Sequence, residues 1–337
     1  MEFKKYSEIE NTYRIKYLEE LKSKELDQGE FIIQEKAHGA NFSFWIEDGI
    51  IEGASRSQIL HGKALEQFSN AHLVLERYKQ RMLDLYNHVV ATKQAKIVTL
   101  CGELIGGGYK HNDVPRDKSA IKIQKGVEYC PHNDFYGFDI RIDGHFIPID
   151  EANNLFETFG FIYAKTLFRG TFEQCLAYPC LFESTIYQQF NLPKIENNIS
   201  EGVVIKPQLP TYMGNERVIL KNKSEKFQEN KSEKKIIKNP QQPLSDGAEQ
   251  VLEAIKEYIN ENRLRNVLSK IGPVTNKDFG TIIKDFVADY MKDFEKDYPN
   301  TIAMLESSEE KKISKQTTEI ACKLIRDNLQ NIIDRTF

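Results

Sequence analysis

Apolar and polar positions alternate in short stretches over the first two-thirds of the chain. Phe31-Ile-Ile-Gln-Glu-Lys36 is an apolar run that ends in charge and predicts a strand. Asn41-Phe-Ser-Phe-Trp-Ile46 alternates and predicts the neighbouring strand, reached through a turn at His38-Gly39. Residues 97–101, 135–142, 202–206 and 217–221 predict four more strands, rich in the β-branched and aromatic side chains that suit a pleated surface. Between them, residues 67–90 carry Leu73, Leu75, Tyr78, Met82, Leu85 and Tyr86 at mostly helical spacing.

The pattern then breaks. Residues 225–247 are polar, hold Lys231-Ser-Glu-Lys-Lys235 and Asn239-Pro-Gln-Gln-Pro243, and read as a domain boundary. From 217 to 238 there are eight basic and three acidic residues, which fits either a phosphate-gripping segment or a solvated flexible linker. Beyond it only helical periodicity remains. Asp246-x-x-Glu249 resembles a capping box ahead of Val251, Leu252, Ile255, Tyr258 and Ile259. Leu264, Val267, Leu268 and Ile271 form a second stripe, stopped by Gly272-Pro273. A long stripe runs from Phe279 to Phe294, and a last one joins Ile320, Leu324 and Ile325 to Ile332 and Ile333. Ordinary helix packing accounts for all of them. The expected architecture is α+β, with antiparallel sheets and flanking helices over 1–226. A linker follows over 227–245, then a small all-helical domain over 246–337.

Composition narrows the function classes. Lys and Arg total 46 against 50 Asp and Glu, so the chain is not coated with cations, although a local basic groove remains open. No apolar run of about 18 residues predicts a membrane span, and Met1-Glu-Phe-Lys-Lys-Tyr6 lacks the apolar core of an export signal. The five cysteines are odd in number and scattered, with only Cys175 and Cys180 close together. Free thiols and a reducing, cytoplasmic setting are expected, without structural zinc.

The chemistry lies in short polar motifs on or beside the predicted strands. Glu35-Lys36-Ala37-His38-Gly39-Ala40-Asn41 ends an apolar strand in a lysine. Alone it reads as a surface lysine. Buried, with its pKa lowered by desolvation and nearby cations, it would be an amine able to attack phosphorus. Ser55-Arg56-Ser57 says nothing by itself, and Cys101-Gly-Glu103 reads alone as a solvated turn. Phe138-Asp139 offers a ring that could stack on a base, or a core phenylalanine. Glu201-Gly-Val-Val-Ile-Lys206 brackets an apolar strand. Strict alternation would put its two charges on opposite faces unless the strand bulges or one acts from its end. Lys221 and Lys223, at i and i+2, face one way and suit a phosphate or water.

Taken in order, Lys-x-His-Gly-x-Asn, Arg, Gly-Glu, Phe-Asp, Glu-Gly-x-Val-x-Lys and Lys-x-Lys resemble the six-motif series of the covalent nucleotidyltransferases, the superfamily of polynucleotide ligases and capping guanylyltransferases. The histidine variant of the first motif is similar to the RNA ligase 2 family, which includes the kinetoplastid RNA-editing ligases. Residues 262–280 are similar to the start of that family's helical C-terminal domain, one used to engage duplex RNA, so the resemblance implies that the domain over 246–337 binds RNA. The resemblance implies an ATP-dependent RNA ligase that seals 3′-hydroxyl/5′-phosphate nicks through lysyl-AMP and RNA-adenylate intermediates. It implies Lys36 as the nucleophile, with Glu35 and Ala37 lining the adenosine pocket. Arg56 and Glu103 would hold the ribose, Phe138 would stack on adenine, and Asn41 would lie near the nucleotide and the reacting RNA ends. Glu201 would bind Mg²⁺ or Mn²⁺, and Lys221 and Lys223 would grip the α-phosphate. Asp139 and Lys206 occupy motif positions without assigned contacts. The implied partner is nicked duplex RNA or an RNA/DNA hybrid, engaged by a monomer with no membrane involved.

The helical pattern after the sixth motif departs from DNA ligases and capping enzymes, which usually carry a β-rich OB-fold there. Gly106-Gly-Gly108 is not a P-loop, because no Gly-Lys-Ser/Thr follows. Two other readings stand beside the ligase. One is a non-catalytic RNA-binding protein on the same fold, and the other a guanylyltransferase. Nucleotide labelling of Lys36, and the choice of ATP or GTP, separates them.

Overall fold

A computed structural model of the chain describes residues 3–227, 245–305 and 307–337. The chain divides into two compact units, Met1–Lys226 and Phe227–Phe337. Most of the expected linker therefore lies outside the described residues. Of its ends, Glu225–Phe227 is a 3₁₀ turn and Ser245 already begins a helix.

The first unit is built on two largely antiparallel sheets. One runs, strand by neighbouring strand, Glu10–Asn11, Leu220–Lys223, Gly202–Pro207, Phe31–Glu35 and Thr166–Gly170. The other runs Ile59–Leu60, Ile50–Ser55, Ala40–Glu47, Ile97–Gly108, Cys130–Ile142 and His145–Phe146, with Ile162–Tyr163 added in parallel to Cys130–Ile142. The expectation that Phe31–Glu35 and Ala40–Glu47 pair is therefore wrong, since they lie in different sheets. All five residues of Phe31–Glu35 are buried, and both of its edges are taken, by Gly202–Pro207 and Thr166–Gly170. Ala40–Glu47 instead pairs with Ile50–Ser55 across Asp48-Gly49. Both of those turn residues have positive φ, which is what a tight two-residue hairpin demands.

The outer face of the second sheet holds the main core. The helix Ala71–Lys93 lays Val74, Tyr78, Met82 and Leu85 against Phe42, Phe44, Leu100 and Phe135. Its buried stripe is Ala71, Val74, Tyr78, Met82, Leu85, Tyr86 and Val89, whereas Leu73 is 45% exposed. The expected stripe was thus misplaced at its start, where Val74 takes the inward position. The outer face of the first sheet packs Phe31, Ile33, Val203, Ile205 and Leu220 against Tyr17, Leu21 and Phe172 of short helices. Between the sheets is a small cluster of Tyr6, Cys101, Val204 and Ile219, joined by the part-buried Phe138 and Phe146. The expected strand 217–221 is broken. Glu216–Arg217 pairs with Tyr212–Met213, and Leu220–Lys223 joins the first sheet.

The second unit is helical in its described residues. Its helices are Ser245–Lys256, Glu261–Ile271, Phe279–Asp297, Ser307–Asp327 and Leu329–Ile333. Asp246 lies inside the first helix, where it had been expected as the cap. Gly272 closes the second helix with φ +87, a conformation that favours glycine. Arg263 is fully buried, and its guanidinium meets Asp289 at 2.8 Å and Asp293 at 2.9 Å. No helix among the described residues is long and apolar enough to cross a membrane.

Gly137 tests the packing around the second sheet. A Cβ there would sit 2.6 Å from two atoms of the Phe156 ring. That ring is wholly buried against Phe161 and Tyr163 and has nowhere to go. Gly137→Ala is expected to lower stability by about 1–3 kcal/mol, read as a shifted denaturant midpoint at unchanged slope.

Candidate active site

The sheet-to-sheet crossing positions the candidate nucleophile. Phe31–Glu35 ends in the first sheet, residues 36–39 cross over, and Ala40–Glu47 begins in the second. Gly39 is needed here, because a Cβ would fall 2.2 Å from the Leu104 carbonyl oxygen. The crossing is pinned by hydrogen bonds on both sides. The Lys36 amide donates to the Gly202 carbonyl at 2.9 Å, and the His38 amide donates to the Tyr129 hydroxyl oxygen at 2.7 Å.

Lys36 is mostly buried, and its Nζ lies 2.9 Å from Glu201 Oε2. The other oxygen of Glu201 meets Lys223 Nζ at 3.0 Å, and His38 Nδ1 stands 3.6 Å from Oε2. One carboxylate thus bridges two lysines. Burial alone would raise the pKa of Glu201, but Lys36, Lys223 and His38 hold it well below the carboxylate range. Burial also lowers His38, so the imidazole favours its neutral form.

The puzzle of Glu201 and Lys206 is settled by Gly202. Its φ of +144 breaks the alternation where the strand begins, and its missing side chain lets the Asn222 carbonyl approach to 2.1 Å of the ideal Cβ position. Glu201 thereby reaches Lys36 and Lys223, which share the strand face of Val204 and Lys206. Lys221 is on that face too, opposite Val204.

Glu103 enters from the second sheet, paired in register with Asn41. One of its oxygens is buried without a hydrogen-bond partner. Burial pushes its pKa up to about 8, against the pull of Lys36, Arg56 and Lys223, while Glu201 repels it. Lys36, Arg56, Glu103, Glu201 and Lys223 therefore lie close enough to feel one another's charge. Glu35 points elsewhere. Its Oε2 accepts from the Thr185 amide at 2.7 Å and the Thr185 hydroxyl at 2.8 Å, and burial raises its pKa. Ala37 is buried beside it in the chain.

Phe138 is the extra residue of a β-bulge. Cys101 pairs with Asp139 and Gly102 with Gly137, which leaves Phe138 unpaired between them. The bulge turns its half-buried ring into the space between the sheets, edge-on to Tyr6 at 5.0 Å between centroids. Asp139 does not join Lys36. It is buried in a separate network, held by both guanidinium nitrogens of Arg217 at 2.9 Å, by Lys206 Nζ at 3.1 Å and by the Tyr6 hydroxyl. Burial would raise Asp139, yet Arg217, Lys206 and Tyr6 hold it at about 2. Lys206, buried beside that second cation, is pushed down to about 8. Arg217 had been counted in the basic segment of 217–238 and does not belong there, being 2% exposed and bound to Asp139. Lys223 is likewise spent on Glu201.

Sequence reasoning missed Tyr6, Tyr129, Thr185 and the role of Arg217. No spacing signal could have found them, since each meets its partner 78 to 150 residues away. The carboxylate of Glu201 is a hard donor suited to Mg²⁺ or Mn²⁺, and Glu103, with an unpartnered oxygen, would join it on giving up its proton to the cation. Among the described residues no cluster of three or more His, Cys, Asp or Glu forms a metal site, Cys175 and Cys180 included.

A family model described as RNA ligase matches residues 29–223, and one described as T4 RNA ligase 2 C-terminal matches residues 241–323. The mitochondrial RNA-editing ligase 2 of Trypanosoma brucei brucei is 28% identical, over 97% of this chain and 92% of its own length. The mitochondrial RNA-editing ligase 1 of the same organism is 24% identical, over 78% of this chain and 70% of its own length. Among solved structures, a mutant Naegleria gruberi RNA ligase with ATP and Mn aligns at a TM-score of 0.46 and 19% identity. That alignment covers 67% of this chain and 56% of the other, a likeness too distant to carry residue roles.

The raised pKa of Glu103 has a measurable consequence. Between the ordinary carboxylate value and about pH 8, the folded protein holds a proton there that the unfolded chain has released. Stability should therefore fall as pH rises through that window. In the nucleotide-free protein, Glu103→Gln is expected to flatten the decline, measured by denaturant midpoints from pH 5 to 9.

Proposed function

The chain belongs to the RNA ligase family, and we propose that it seals 3′-hydroxyl/5′-phosphate nicks in duplex RNA, using ATP and carrying AMP on Lys36. The observation that supports this most directly is the contact chain Lys36–Glu201–Lys223, with Glu103 and Arg56 beside it. A lysine held between two sheets, with a second ammonium about a carboxylate's width away, suits a site that must both attack a phosphate and neutralise it.

In the first step Lys36 Nζ gives up a proton to solvent and exchanges its contact with Glu201 for the α-phosphorus of ATP. The N–P bond forms and pyrophosphate leaves. In the second, an oxygen of the RNA 5′-phosphate attacks the same phosphorus and frees Lys36. In the third, the 3′-hydroxyl attacks the 5′-phosphorus and AMP leaves. Each step builds negative charge on phosphate oxygens, and Lys223, with Lys221 on the same strand face, would stabilise it. A divalent ion held by Glu201, with Glu103 near, would add positive charge at the phosphates. Phe138 offers a ring to adenine from the bulge, and Arg56 and Glu103 offer polar groups to the ribose. Glu35, Ala37 and Asn41 flank the nucleophile in the chain and would line the nucleotide pocket.

Intact-mass measurement after incubation with ATP and Mg²⁺ should show one added AMP, with none on Lys36→Ala and none from GTP. Pyrophosphate treatment beforehand would unload any AMP already bound. An absent adduct on the native chain would sink the ligase reading. Lys223→Ala is expected to slow adduct formation by about a hundredfold or more. Nicked duplex RNA should be joined faster than unpaired ends, and equal joining of the two would remove the nick preference.

A further inference from the structure

The helical unit carries an unused surface of opposite sign to its surroundings. Residues 245–337 hold 17 acidic and 14 basic residues, so the unit as a whole would be repelled by a nucleic acid. The helix Ser307–Asp327 is the exception. Its Ile313, Thr317, Ala321 and Ile325 are buried. At 100° per residue, Lys311, Lys312, Lys315, Lys323 and Arg326 all fall within about 120° on the side away from that buried stripe. All five are exposed, and Glu319 is the one acidic residue among them. Among the described residues none of the five takes part in a salt bridge. Arg326 lies over the Phe279 ring at 5.7 Å, which seats the C-terminal end of the row. From Lys311 to Arg326 the row is about 22 Å long.

A row of like positive charges repels itself and favours a partner with evenly spaced negative charge. We propose that this face of Ser307–Asp327 is the surface by which the helical unit grips the phosphate backbone of the RNA duplex. The inference rests on the ligase reading above and assigns its substrate contact to particular residues. Recognition is by phosphates and helix shape, without base reading, because lysines on a straight helix face offer charge and little directional bonding. The unit's remaining acidic surface then restricts the duplex to this one face.

The test compares two variants of the full chain. One carries Lys311→Glu, Lys315→Glu and Lys323→Glu. The other makes the same net change off the row, with Lys256→Glu, Lys277→Glu and Lys284→Glu. For both, AMP loading from ATP reports the nucleotide site separately. Melting temperature and helix content by circular dichroism report folding. A milder row variant, with the three lysines changed to Gln, serves if the reversal fails to fold. The row variant is expected to load AMP normally yet bind nicked duplex RNA at least tenfold more weakly near 100 mM salt. Its slope of log affinity against log salt should fall by roughly two to three, about one per lost phosphate contact. Sealing should recover at high RNA concentration. Unchanged affinity and slope in a folded, AMP-loading row variant would overturn the proposal. So would an equal loss in the off-row variant, since net charge alone would then be the cause. Failure of the native chain to load AMP would instead count against the ligase reading.

Discussion

Four residues crossing between two sheets set the terms for everything else in the first unit. Residues 36–39 leave an inner strand of one sheet and enter the other, and Lys36 sits at the start of the crossing. Its backbone is tied to Gly202 of the first sheet, and that of His38 to Tyr129, just before the strand Cys130–Ile142 of the second. Gly39 makes the crossing sterically possible by letting the backbone pass against Leu104. A nucleophile placed there can be met by groups from either sheet. Glu201 and Lys223 come from its own sheet, and Glu103 with Arg56 from the other.

Two charged networks share the space between the sheets and differ in kind. Around Lys36 the ammonium groups are joined through the single carboxylate of Glu201, and Glu103 keeps an oxygen without a partner. Around Asp139 every group is buried and engaged, with one carboxylate set against Arg217, Lys206 and the Tyr6 hydroxyl. Such a network is costly to break by removing one partner, because the remaining charge stays buried. It fastens strands of both sheets and the N-terminal segment beneath Phe138, while Arg141 holds the carbonyls of Lys4 and Lys5 nearby. The second network thus gives the bulged ring a fixed support, and the first keeps the groups that are free to exchange partners.

The helical unit solves a similar problem with different means. Arg263 is buried against Asp289 and Asp293, so charge is used inside the bundle to fix how two helices meet. On the outside, acidic residues dominate except along one face of Ser307–Asp327.

Much of this was legible from residue order alone. The helices followed from apolar positions at 3.6-residue spacing, and Gly272-Pro273 stopped one of them where glycine and proline must. The motif lysines and glutamates stood out only as an ordered series that resembles one in a known superfamily, since each alone read as a surface, turn or core residue. Local pattern could not decide which strand pairs with which. Phe31–Glu35 and Ala40–Glu47 read as a hairpin, yet the first pairs with Gly202–Pro207 and Thr166–Gly170, and the second with Ile50–Ser55 and Ile97–Gly108. It also could not show that Gly202 would turn Glu201 onto the face of Lys206, or that Arg217 would be buried on Asp139 instead of lining a basic segment. Periodicity reports which face of an element is apolar, a property of neighbours in sequence. Pairing, and the partner of a buried charge, depend on which distant groups arrive to satisfy it, and only the tertiary structure brings those groups together.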